Sequence, residues 1–532
     1  MGIEQRLLDL DPLSRVFVAT FLLVGVPCLL YMRSLHKDAR LLAVATLFIG
    51  AALGVVVAAD LLWFLIFWEV MVLVACYLMV HCDLACDARQ ATASRQFRHD
   101  ATVVSSGVFP VAYRYFLVQM VAGTSLFLAV AIQYAVRGSF EMDVIVAEAV
   151  PLFLIAFLIK AAVVPFHFWV PITYPCVPPA VAVVLSAYAT KIGVYAFARL
   201  LPGIPWVAYA GAGVAVFGVV MAMRQRTARR LLSYHLISQV GYMITGIGVG
   251  TELGVGAGAL HMMNHVAYKS LLFMAAGMVL HRRGSEVMQR VGGLGKAMPL
   301  TFLTALVGAA AISGVPPLNG YVSKTLLKAA TEGDAFLQWA LFLAGIGTAF
   351  SFSKFIWYLF LHRPAPELPS PQPAGKMPFG AGLAMALLAL LCVGQGVFYR
   401  PFVDMAFGTE TIPYAVYEWH QLIAGPVPVV LGMVLYGLNY RAAGWLRGSL
   451  PSDHGAFRAR GRSRPRAGAA HPARAEPADS LRPADVEVLY AWLLHQALRL
   501  SRSIAMRARD ETQLYLLVIT ALLVGLVAFL AW

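Results

Sequence analysis

Charge is scarce in this chain. Only 13% of its 532 residues are Asp, Glu, Lys or Arg, where an ordinary soluble domain carries about 25%. That scarcity excludes a soluble enzyme and a disordered chain, both of which keep charge in contact with water. Cysteine is scarce as well. Its six residues, Cys28, Cys76, Cys82, Cys86, Cys176 and Cys392, lie mostly in apolar runs. They fit no zinc spacing and exclude a secreted disulfide scaffold. His81-Cys82-Asp83 with Cys86 could touch a metal, but the cluster reads more simply as a polar loop. No P-loop, dinucleotide fingerprint or iron–sulfur cysteine cluster is present. The residues therefore imply no cofactor and no ATPase or redox chemistry of the chain's own. Acidic residues are the rarer charge, 27 against 41 Lys and Arg, for a net charge of +14. In a soluble protein such an excess would suggest nucleic acid; here its placement decides.

What the chain has is long apolar runs: 60% of residues are AVILMFWYC and mean hydropathy is +0.73. A bilayer core about 30 Å thick takes about 20 apolar residues per helix. Fourteen runs qualify: 13–32, 41–58, 61–80, 110–136, 148–169, 178–200, 206–222, 231–250, 254–280, 298–331, 336–361, 379–400, 420–441 and 511–531. An outer-membrane barrel would show only short alternating segments. The expected fold class is an all-α polytopic membrane protein with about 14 transmembrane helices. Two of them are expected to be broken, because proline removes a backbone donor and clashes with the preceding turn. One break is expected at Ser313-Gly314-Val315-Pro316-Pro317-Leu318-Asn319-Gly320, the other near Val170-Pro171 to Val177-Pro178-Pro179, with Pro165 close by. Broken backbone at membrane depth persists only where protein or a water-filled cavity satisfies it.

Basic residues collect in alternate connections. They are Arg33, Lys37 and Arg40; Arg89, Arg95 and Arg98; Arg224, Arg226, Arg229 and Arg230; Arg282, Arg283, Arg290 and Lys296; and Arg363 with Lys376. The intervening connections hold Arg137 beside acids such as Glu141, Asp143, Glu252, Glu332 and Asp334. By the positive-inside rule the basic loops are cytoplasmic and both termini are not. On this reading 442–510 is cytoplasmic too. Residues 447–482 are rich in Arg, Ala, Pro and Gly, with Arg458, Arg460, Arg462, Arg464 and Arg466 at alternate positions. That composition reads as a disordered, solvated tether. Attraction to anionic lipid, about 1 kcal/mol per residue near the surface, is the sharper alternative. From Pro483 to Arg509 the apolar residues return to helical spacing, as in a helix lying on the membrane. The expected organisation is thus N-terminal spans over 1–58, a core over 59–361, further spans over 362–441, a basic linker over 442–482, an amphipathic helix over 483–510 and a final span over 511–532.

The charges left inside spans are the functional signal. Each costs about 2.5–3.5 kcal/mol on insertion scales and persists when it pairs or lines an ion path. Glu69, Lys160 and Lys191 lie mid-span, His261, His265 and Lys269 share one span, and Lys324 and Lys328 follow the Pro316-Pro317 break. The spacing of 261, 265 and 269 stacks three titratable groups on one helix face. Neutral histidine both donates and accepts a proton, so such a row can relay one. A lysine beside Glu69 keeps its charge, and a lone one loses it to desolvation. Arg114 and Lys328 can snorkel, and His235, three residues into its span, reads as structural. Lys354 and His167 remain open on sequence.

These stretches resemble the antiporter-like membrane subunits shared by respiratory complex I (NADH:quinone oxidoreductase), membrane-bound hydrogenases and Mrp-type Na⁺/H⁺ antiporters. The resemblance rests on Leu65-Ile66-Phe67-Trp68-Glu69, on Ile159-Lys160-Ala161-Ala162-Val163-Val164-Pro165-Phe166-His167-Phe168-Trp169-Val170-Pro171, and on Thr190-Lys191-Ile192-Gly193. It continues through Arg229-Arg230-Leu231-Leu232-Ser233-Tyr234, Ile237-Ser238-Gln239-Val240-Gly241-Tyr242, His261 to Phe273 and Gly314 to Lys324. The wording is most similar to Mrp D-type and hydrogenase-type subunits. The resemblance implies that Glu69 pairs with the pumping lysine, Lys160, and that Lys191 bridges to a central axis of His261, His265 and Lys269. It implies that Lys324 is the terminal group of the path. It implies a subunit that moves H⁺, with Na⁺ as counter-ion left open, among other membrane subunits in a lipid bilayer, the bacterial inner membrane. The placement of the excess positive charge marks topology and not a nucleic-acid partner, and no metal site is expected.

Three departures stand out. The family usually has two more helices before the segment that begins here at Asp11-Pro12-Leu13-Ser14. The acid after its Trp-Leu-Pro is Ile172, and the acid before its basic pair is Thr227. Two other readings are a subunit coupling a proton gradient to another process, such as inorganic-carbon uptake, and a scaffold subunit that conducts nothing.

Overall fold

The computed structural model describes residues 11–90, 108–362, 377–407 and 415–449; for 82–90 and 441–449 only the helical backbone is described. The described residues form helices and connections with no strand; a single β-bridge joins Thr227 to Val287. The helices run in the order α1 (Pro12–Leu35), α2 (Ala39–Val57), α3 (Leu61–Gln90), α4 (Phe109–Arg137), α5 (Val150–Lys160) and α6 (Trp169–Cys176). Then come α7 (Pro179–Leu200), α8 (Pro205–Arg224), α9 (Ala228–Val249), α10 (Glu252–Arg283), α11 (Leu294–Ala297) and α12 (Pro299–Ser313). The last are α13 (Asn319–Ala330), α14 (Ala335–Ile356), α15 (Phe379–Val397), α16 (Arg400–Phe407), α17 (Trp419–Ala424) and α18 (Val427–Ser449). The chain divides into two units, 1–433 and 434–532. In the second unit only the helical residues 434–449 are described.

Local chemistry sets the helix ends. Proline occupies the first helical turn of α1, α4, α5, α7, α8 and α12, where its missing N–H is not needed. Side-chain oxygens of Asp11, Thr251 and Asp334 accept from the first-turn amides of Ser14, Gly254 and Leu337. Gly250 and Gly284 close α9 and α10 in the left-handed conformation that glycine adopts without penalty.

Nine helices among the described residues are long and apolar enough to cross a membrane: α1, α2, α3, α4, α7, α8, α14, α15 and the stretch Trp419–Tyr440. The polar helices sit inside them. Nearly every residue of α9 and most of α10 are buried, and the apolar window of α7 is completely so. The outer helices leave large apolar side chains uncovered, among them Leu22, Leu47, Leu73, Phe127, Trp339 and Leu390. Such a surface suits hydrocarbon and not water. Helix α8 meets α9 along a seam of small residues. A Cβ at Gly218 would meet the backbone of Ser238, and one at Gly241 the backbone of Ala215. Small residues of this kind let helix backbones approach closely inside a bilayer, and Ser238 Oγ donates across the seam to the Ala215 carbonyl at 2.7 Å.

Several boundaries differ from the expected ones. The expected span 148–169 is a broken helix. It stops at Lys160, turns through Ala161–Pro165 and a 3-10 turn over Phe166–Phe168, and resumes as α6. The break therefore falls around Pro165 and earlier than Val170-Pro171. Pro171 lies in the first turn of α6, where proline is tolerated, and Pro178 is the cap residue ahead of α7. The second interruption spans Gly314–Leu318, between α12 and α13, and includes Pro316 and Pro317. Helix α3 continues into the expected loop as far as Gln90, and α18 runs beyond 441 to Ser449. The expected linker, amphipathic helix and final span, 450–532, lie outside the described residues, as does the side chain of Cys86.

The departure at Thr227 has a structural answer. Arg229, only 6% exposed, donates its Nε to Glu286 Oε2 at 2.7 Å and its Nη1 to the Val177 carbonyl at 2.6 Å. The acid therefore comes from the connection after α10. Backbone bonds from Ala228 to the Glu286 carbonyl and from Met288 to the Arg226 carbonyl fix the same contact.

Candidate functional site

Each helix break puts a lysine at the carbonyl end of a half-helix. Lys160 is the last residue of α5, and Lys324 donates its Nζ to the carbonyl of Ile312, in the last turn of α12, at 2.7 Å. The negative end of a helix dipole stabilises a cation there by about 0.3–1 kcal/mol, up to about 2 in buried geometry. Both breaks are braced. Trp169 Nε1 donates to the Ile159 carbonyl at 3.0 Å, beside the Ala162 amide that donates to the same oxygen at 3.1 Å. Ala162 sits at φ 57°, a left-handed conformation costly for a residue with a Cβ. At the second break, Asn264 of α10 donates to the Asn319 carbonyl at 2.8 Å, and Asn319 donates to Gln395 of α15 at 2.8 Å. A Cβ at Gly193 would run into the backbone of Ala161, and one at Gly320 into the carbonyl of Ala311. Glycine lets neighbouring backbone close over both breaks.

Between the breaks lies a row of buried ionisable groups. It starts at Glu69 on α3, half-buried, with Oε1 buried and without a hydrogen-bond partner. The carboxylate packs on Gly123 of α4, where any Cβ would collide with it. Lys160 is completely buried, its Nζ 4.7 Å from the ring centre of Trp68 and making no hydrogen bond. Lys191 on α7 is completely buried and donates to the Ser186 carbonyl at 2.7 Å and to Thr190 Oγ1 at 3.2 Å. On α10, His261, His265 and Lys269 are all completely buried. His265 interacts electrostatically with Lys191, Lys269 and His261, and Lys269 with Lys191. His261 shares a hydrogen bond with Ser323 of α13 at 2.9 Å and another with Gln239 of α9 at 3.2 Å. Ser323 adjoins Lys324, whose Nζ lies 5.1 Å from the ring centre of Tyr242. The row thus threads α3, α5, α7, α10 and α13.

At the Lys324 end a cavity of about 420 Å³ opens between α13, α14 and α17, lined by Tyr242, Ser313, Lys324, Lys328, Thr331 and Gln338 among others. Lys328 and Arg114 are exposed. Lys354 donates to the carbonyls of Met223 and Gln225 at 2.9 and 2.6 Å, tying α14 to the end of α8. His167 packs edge-on against Phe217. Among the described residues no three His, Cys, Asp or Glu side chains converge to hold a metal.

Sequence reasoning missed the polar face of α9: His235, Gln239 and Tyr242, one turn apart from each other, lie against α10 and α13. The signal was their spacing of four and three, which puts them on one helix face as the spacing of four and four does for the row on α10. It was obscured because each residue alone reads as ordinary core.

The chain is similar to known proteins throughout this region. The family described as "NADH:quinone oxidoreductase/Mrp antiporter, TM" matches residues 58–351. A probable K⁺/H⁺ antiporter subunit of Rhizobium meliloti is 28% identical over 463 residues, 80% of this chain and 44% of that one. Hydrogenase-4 component B of Escherichia coli is 27% identical over 435 residues, 73% of this chain and 61% of that one. The first curated relatives are spanned over only 38–63% of their lengths. A chain in the structure of the Mrp complex from a Dietzia species superposes with a TM-score of 0.65 at 23% identity, covering 80% of this chain and 86% of that one.

Proposed function

Because this chain belongs to the NADH:quinone oxidoreductase/Mrp antiporter membrane family, we propose that it is a proton-translocating subunit of a multisubunit ion-pumping membrane complex. The observation that carries the reading is the series of ionisable groups at the helix breaks and on the buried helices between them: half-buried Glu69 and Lys324 at its ends, and fully buried Lys160, Lys191, His265, Lys269 and His261 between. Protons enter at Lys160, move along the row as each group changes protonation, and leave past Lys324 by the cavity beside it. Glu69 acts as the switch. A carboxylate near Lys160 favours the ammonium, and its withdrawal favours the neutral amine that passes the proton on. The ends of half-helices are where carriers commonly hold small cations.

The other parts of the reading follow. The two broken helices and the polar α9 and α10 count as spans beside the nine apolar ones; with 511–531 the total is fourteen. The basic connections and 442–510 face the cytoplasm of a bacterial inner membrane, and both termini face away. The partners are other membrane subunits, which supply the driving reaction, since the residues hold no redox or nucleotide chemistry. Na⁺ is a second cargo to be tested. The test is proton uptake by proteoliposomes containing the assembled complex. Lys160→Ala together with Lys269→Ala abolishes uptake on this reading; uptake at the wild-type rate would refute it.

A further inference from the structure

We infer that His235 is a proton-carrying station of the buried row, so that at its centre the path runs over two helices, α9 and α10. This rests on the proton-path reading above. His235 is completely buried, and neither ring nitrogen has a hydrogen-bond partner. The same holds for His265, while the Lys269 ammonium makes no hydrogen bond. Helix α9 packs against α10, which carries His265 and Lys269, and against α13, which carries Lys324. One turn along α9, Gln239 shares its Oε1 with His261 and leaves its Nε2 unpartnered. The two helices are antiparallel neighbours, so the polar face of α9 lies along the polar face of α10.

A structural histidine in a core normally satisfies at least one ring nitrogen. This one instead packs its ring on Phe352, with 4.6 Å between centres. A phenylalanine would make that contact without leaving two nitrogens orphaned. The imidazole is therefore of use for something a phenyl ring cannot do. It accepts a proton on one nitrogen and, as imidazolium, releases one from either. Its charged neighbours are the groups that would deliver and take that proton, with one bridging water where side chains stand beyond hydrogen-bond distance. On this inference His235 stands in series with the row, between Lys269 and Lys324, so that its loss interrupts the path.

The test uses the assembled complex in proteoliposomes, with His235→Phe, His235→Gln and, in parallel, Lys160→Ala, and with assembly checked on a native gel. Phenylalanine keeps the packing, and glutamine keeps a polar group that does not titrate. The expected result is normal assembly with proton uptake lowered at least tenfold in all three. Wild-type uptake in His235→Phe would reduce the residue to packing and overturn the inference; wild-type uptake in His235→Gln would reduce it to a polar filler and do the same. If either happened while Lys160→Ala lost uptake, the path reading would stand without His235. Wild-type uptake in Lys160→Ala would overturn the path reading and this inference with it.

Discussion

Of the buried lysines, Lys269 is stabilised less than it costs, while Lys160 comes close to balance. Placing one mid-bilayer costs about 2.5–3.5 kcal/mol on insertion scales. Against that, Lys160 gains the end of the α5 dipole, about 0.3–1 and at most about 2 kcal/mol. It also gains the face of Trp68, worth about 0.5–2 kcal/mol depending on desolvation. Its Nζ has no hydrogen bond at all. Lys269 has less, only the ring of Phe273 at 5.7 Å. Structural lysines such as Lys354 look different, with two carbonyls in reach of the ammonium. The deficit has a measurable consequence. Lys269→Met raises the thermal unfolding midpoint of the complex, corresponding to about 1–3 kcal/mol, while it removes proton uptake. A lowered midpoint with uptake intact would make Lys269 structural. A second prediction concerns Glu69. Gly123→Val forces its carboxylate off α4, and we expect proton uptake to fall about tenfold while assembly is retained; Gly50→Val, at a glycine with open space around it, leaves uptake unchanged.

At the scale of elements, the molecule depends on interrupted helices held by side chains from their neighbours. Asn319 accepts from Asn264 and donates to Gln395, so one residue links α10, α13 and α15 at the second break. Asn319→Leu leaves Gln395 without its partner and crowds the contact with Asn264, at about 1–3 kcal/mol for each buried group. Thermal unfolding is expected to drop by several degrees. The α8–α9 seam is more demanding still. Gly218→Leu places a side chain against the backbone of Ser238 and is expected to prevent accumulation of the folded chain, measured by its yield in detergent. The second break was legible because Gly-Val-Pro-Pro leaves a helix no way through. At the first, Pro165 lies in the break as expected, while the later prolines do not make it. Prolines at 171 and 178 look like breakers in the sequence, yet one lies in a first turn and the other at a cap, where the missing amide does no harm. Lengths of α3 and α18 were underread because hydropathy ends where the hydrocarbon would, and helix does not. The face of α9 escaped because its residues became a row only when α10 was set beside them.

At the scale of the molecule, among the described residues of the unit 1–433, the ionisable helices lie inside and the apolar helices outside. Charges in runs 148–331 hint at that arrangement, but periodicity says only which residues share a face and not which helix covers it. The connection after α10 shows the same limit. The residue at 227 suggested a lost contact, and the contact is made by Glu286, far along the sequence. Glu286→Ala strands Arg229 nearly buried, at about 3 kcal/mol. Amide exchange over 284–293 is expected to speed up while proton uptake remains, because this tie lies away from the row. If the row is one path, its middle is Lys191, between the two broken helices. The direct measurement is the initial rate of proton uptake by proteoliposomes of the fully assembled complex carrying Lys191→Gln. A single path requires a rate at least tenfold below wild type with assembly unchanged, and a wild-type rate would contradict it.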